Sequence, residues 1–101
     1  MPDIPVDTHA QILNELDGTR LDVVGLRDTT DVKAGYKGFD LAETTLLNCR
    51  SAIEALRDRD QIVSMLKRGN VVLREVGGGD AWPAVQRART ALQNLWERLS
   101  D

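Results

Sequence analysis

Few residues in this chain can carry chemistry. His9 is the only histidine and Cys49 the only cysteine. A single histidine removes every multi-histidine metal site, so neither a metal nor another cofactor is expected. As a general base, His9 would need Cys49 or a serine brought beside it by folding, and no motif marks such a nucleophile. An exposed or capping histidine is the simpler reading. Cys49 has no CxxC companion and falls on an apolar stripe, where a thiol acts as a small core residue.

The other motifs are weaker. Gly77-Gly78-Gly79 precedes a helix start, where free amides attract anions. Neither GxxxxGK[ST] nor GxGxxG occurs, however, and Asp80 puts negative charge where a phosphate would sit. A hinge explains the glycines better. Arg50, Arg57 and Arg68 fall near one line of a helix over 40–68, a spacing that could track a phosphate backbone. Glu54 interrupts that line and Asp58 and Asp60 lie close by, so a solvated, ion-paired face is the simpler account. Asp17, Asp22, Asp28 and Asp31 match no EF-hand spacing.

One constellation suggests a partner surface. Trp82 and Trp96 stand fourteen residues apart, within about 40° of each other on a helix, and Arg89 lies midway. Tryptophan and arginine are the residue types enriched at interface hot spots. Arg89 between two indoles suits a rim or stacking position better than a core one. The competing reading has both tryptophans completing the core beside Val85, Leu92 and Leu99.

The elements that position these residues follow from apolar spacing. Residues 1–7 form an extended lead-in containing Pro2 and Pro5. Thr8 and Gln11 have the spacing of a capping box, and Ile12, Leu16, Val23 and Leu26 continue a stripe, giving a helix over about 8–30. Residues 31–38 read as a connector. Asp40 and Glu43 form a second capping-box pattern, and Ala42, Leu46, Cys49, Ile53, Leu56 and Val63 predict a long central helix over about 40–68. After Asp60 the stripe changes phase to Ile62, Leu66, Gly69 and Leu73. The helix then either continues to 76 across a stutter or gives way to a short strand. Asp80 as cap and Pro83 in the first turn start a last helix over about 81–99.

The expected fold is therefore all-α over 1–101 as a single domain. It is a three-helix bundle, or a helical hairpin, with a long central helix; the alternative is α+β with short strands near 21–26 and 70–76. A central helix of about 43 Å would leave apolar ends uncovered, which predicts a homodimer or small oligomer.

Composition bounds the function without choosing it. Sixteen acids against thirteen bases give a net charge of −3, which disfavours a strongly cationic nucleic-acid binder. One cysteine excludes an intrachain disulfide, and no signal-like or membrane-spanning apolar run is present, so a cytoplasmic, soluble protein is expected. The leading expectation is a non-enzymatic helical module that binds itself or another protein. Behind it stand a small oligomeric regulator touching nucleic acid through 40–68, and an enzyme with a site near His9 or Cys49.

Overall fold

Pro5 sets where the first helix begins. Its carbonyl accepts the first helical bond, from the His9 amide at 3.0 Å, so the helix starts ahead of Thr8 rather than on it. The computed structural model describes residues 3–29, 36–75 and 82–100, with the backbone alone at Thr29, Tyr36, Lys37, Trp82 and Ser100. They form four helices: α1 (Val6–Thr29), α2 (Tyr36–Glu54), α3 (Arg59–Arg74) and α4 (Trp82–Ser100). The protein is all-α, and among the described residues the only extended pairing is a single antiparallel bridge between Asp3 and Asp58. Residues 21–26 and 70–74 are helical, which corrects the α+β alternative. Gly77-Gly78-Gly79 and the Asp80 cap lie outside the described residues.

The long central helix is corrected to two helices, so three becomes four. Ile53 and Ile62 are nine residues apart, about 180° on one straight helix, so an unbroken rod would point one of them at solvent. Breaking at 55–58 turns both inward, and both are fully buried. Asp58 is extended (φ −70°, ψ 129°) and its carboxylate accepts the Gln61 amide at 3.1 Å, capping α3. The break also removes the length argument for self-association.

Both capping boxes are corrected too. α2 starts at Tyr36, upstream of Asp40 and inside the expected connector 31–38. Asp40 and Glu43 instead receive Arg27 of α1, at 3.2 and 2.8 Å. With Arg50 on Asp17 at 3.1 Å, these pairs set α1 and α2 antiparallel. Arg98 on Glu15 and Arg87 on Asp22 do the same for α4 against α1. Asn70 beside Arg89, and Gly69 beside Leu92, set α3 against α4. α2 and α4 also touch across the core, whereas α1 and α3 do not among the described residues. Leu16, Leu46, Ile53, Ile62, Leu66 and Leu92 fill the centre, each at most 1% exposed. None of these helices is long and apolar enough to cross a membrane.

Gly18 sits inside α1 with nothing within 4 Å of the position of an added Cβ. Gly18→Ala is expected to stabilise the protein by about 0.5–1 kcal/mol in urea unfolding, because alanine is the better helix former. An unchanged or lower midpoint would mean this part of α1 is not helical in solution.

Candidate functional site

His9 and Cys49 are both buried, and the fold turns them toward different neighbours. His9, one turn into α1, reaches the α2–α3 break. Its Nε2 stands 2.8 Å from the Ile53 carbonyl and 2.8 Å from Nη1 of Arg57. A ring nitrogen donates or accepts, so it makes one of these bonds at a time. The same Arg57 nitrogen donates to the carbonyls of Glu54 and Leu56 at the end of α2, both at 3.1 Å. His9 and Arg57 together thus engage carbonyl acceptors where the helix breaks, one of which, Ile53, also accepts the Leu56 amide at 3.0 Å. The geometry is that of a structural clasp, completed by the Ile4 amide donating to the Arg57 carbonyl at 2.9 Å.

Cys49 faces α3. Its thiol donates to the Met65 carbonyl at 3.7 Å. Burial pushes its pKa up to about 11 from an ordinary 9.0, the opposite of what a nucleophile needs. Thiol reagents are therefore expected to label the folded protein slowly. The ionised thiolate is tolerated in the unfolded chain above pH 9 and in the folded one only near pH 11. The stability that the neutral thiol contributes is complete below pH 9 and is lost as the pH rises from 9 to 11. That loss, on the order of 2 kcal/mol, should be missing from Cys49→Ala when the two proteins are titrated side by side. Parallel curves, or rapid labelling, would place the thiol at the surface.

The tryptophan–arginine constellation is placed only in part. The side chain of Trp82 lies outside the described residues. Arg89 is half-buried and donates from Nε to the Asn70 side chain at 3.1 Å, across the α3–α4 seam. Trp96 is half-buried and packs against the core. The three arginines expected along one line of the 40–68 helix are dispersed. Arg50 is held by Asp17 and Glu54, Arg57 by His9 and the carbonyls, and Arg68 lies on α3 beyond the break. Among the described residues no group of three His, Cys, Asp or Glu side chains could hold a metal.

The feature missed by the sequence reading is a furrow between α2 and α3. A cavity of about 230 Å³ opens there, lined by Leu41, Thr44 and Asn48 on α2 and by Met65, Arg68 and Val72 on α3. Buried Cys49 and Gly69 form its floor. Gly69 explains the depth, because an added Cβ would stand 2.7 Å from Cys49 Sγ and 3.2 Å from Leu92 Cδ1. A second depression continues past Met65 along Ser64, Gln61 and Asp60 to Leu56. Val72 is 41% exposed at the rim, with Val71 at 45% beside it. The other exposed large apolar residues are Val6 and Leu21, separated by about 22 Å along α1, and Leu47 on α2, which does not line the furrow. The cleft between α1 and α4 is lined by Glu15, Thr19, Asn94 and Arg98 and is bridged by the Arg98–Glu15 ion pair.

The stripe's phase change at Asp60 was the one signal that could have located the furrow, since it marks where the helix must fold back. No family model, curated protein or solved structure matches the chain.

Proposed function

We propose that this protein is a non-enzymatic protein–protein interaction module that docks a polypeptide helix along the α2–α3 furrow. The observation carrying this reading is the furrow itself: apolar walls at Leu41, Met65 and Val72, beside an exposed Val71, on a face that α1 and α4 leave open. An amphipathic helix laid between two helices buries its apolar positions in such a groove. The α4 edge is the weaker candidate, because Arg89 already serves the α3–α4 seam and Trp96 packs against the core. Nucleic-acid contact has less support still, since Arg50 and Arg57 are each engaged by bonds within the chain. An enzyme near His9 or Cys49 has to work with a clasp residue and a thiol that burial keeps protonated.

The test compares immobilised wild-type protein with Val72→Glu, an exposed position where a charge leaves the core intact. Mass spectrometry of polypeptides retained from native lysate should find some, this chain included, held by wild type and lost with Val72→Glu. Asn94→Asp in the α1–α4 cleft should retain them. Identical sets from all three proteins would end this reading.

A further inference from the structure

Resting on the furrow reading, we infer that the occupant is a second copy of this chain, set antiparallel across a two-fold axis at Ser64. The argument is the order of charge along the groove. The furrow carries Asp60 of α3 and its cap Asp58 at one end and Arg68 of α3 toward the other, while its α2 wall of Leu41, Thr44 and Asn48 is uncharged. Asp60 and Arg68 are eight residues apart, about 12 Å along the helix, too far to pair within one chain. A helix laid parallel to α3 would set like charge on like. A copy laid antiparallel sets Arg68 on the partner's Asp60, and two-fold symmetry makes that pair twice.

The midpoint of Asp60 and Arg68 is Ser64, and the remaining pairs in this register are compatible. Lys67 opposes the partner's Gln61, and Val72 falls past the start of the partner's α3, toward the end of the furrow that Leu56 lines. No two like charges on α3 face one another. Ser64 is small where the two helices cross on the axis, and Met65 beside it is a side chain that adapts to an irregular surface. Each α3 then rests in the other copy's furrow. The exposed Val71 and Val72 are covered in the same step.

Sedimentation equilibrium from micromolar to several hundred micromolar tests this. Wild type is expected to move toward twice the 11.2 kDa chain mass, with a dissociation constant that rises with salt. Arg68→Glu and Asp60→Arg should each weaken the dimer at least tenfold, because each sets two like-charged pairs face to face. Mixing the two variants should restore association, since a mixed pair has opposite charges at both contacts. Circular dichroism verifies that each variant is folded, and Arg68→Gln with Asp60→Asn serves should a reversal unfold the chain, each weakening the dimer alone.

A monomeric wild type at every concentration overturns the proposal, as do single variants that dimerise like wild type or a mixture that fails to recover. A monomer that still retains other polypeptides in a Val72-dependent way overturns the second copy and leaves the furrow reading standing. A monomer without such retention removes both.

Discussion

Gly69→Ala is expected to lower the unfolding free energy by about 1–3 kcal/mol, and Gly69→Val by more. The direction is opposite to the ordinary effect of alanine in a helix, which favours it over glycine by about 0.8–1.0 kcal/mol. The reversal comes from the space available. At Gly69 an added Cβ meets Cys49 Sγ at 2.7 Å and Thr45 Cγ2 at 3.4 Å, both on the facing α2. Leu92 closes the third side at 3.2 Å with the end of a flexible side chain, which can yield. The obstacle is therefore mainly the sulfur. In a Cys49→Ala background that atom is gone, and Gly69→Ala should cost little there, giving a coupling of about 1 kcal/mol or more in a double-mutant cycle. Urea denaturation of the four proteins checks this. Should Gly69→Ala stabilise the chain as Gly18→Ala does, α2 and α3 do not approach as closely as described.

His9→Ala should cost about 2–4 kcal/mol, from a buried ring lost and polar groups left without it. His9 is 6% exposed and touches both the Ile53 carbonyl and the Arg57 guanidinium, where the chain reverses. Ile4→Ala should cost a comparable amount, since the buried Ile4 side chain anchors the segment whose backbone amide holds the Arg57 carbonyl. The two residues secure the same junction from one short segment, so the double variant should lose less than both single losses together. Additive losses would mean that His9 and Ile4 act independently and that the clasp is not one unit. A negligible loss from His9→Ala would place the ring in solvent.

These two sites also show what local sequence carries and what it does not. The all-α class and the extent of α4 were legible because the three-four apolar rhythm of Ala88, Leu92, Leu95 and Leu99 is a local property. The break before α3 was half legible. Leu56 and Val63 continue the stripe closely enough to hide it, while Ile53 and Ile62 fall on opposite sides of a straight rod and reveal it. Capping boxes misled for a different reason. Asp40 and Glu43 have the right spacing, but their partner is Arg27 on α1, which no local window contains. Arg89 is similar, placed by spacing between two tryptophans and bonded to Asn70, nineteen residues back. The furrow is not legible in local sequence, because its walls, Leu41–Cys49 and Met65–Val72, face each other only once α3 folds back on α2.

The α2–α3 furrow as the face on which two copies of the chain meet is tested most directly by methyl resonances followed as the protein is concentrated. The methyl groups of Leu41, Met65 and Val72 should shift along one common isotherm, while those of Val6 and Leu21 on α1 stay fixed. Furrow methyls that do not respond, or α1 methyls that shift in their place, would contradict the assignment.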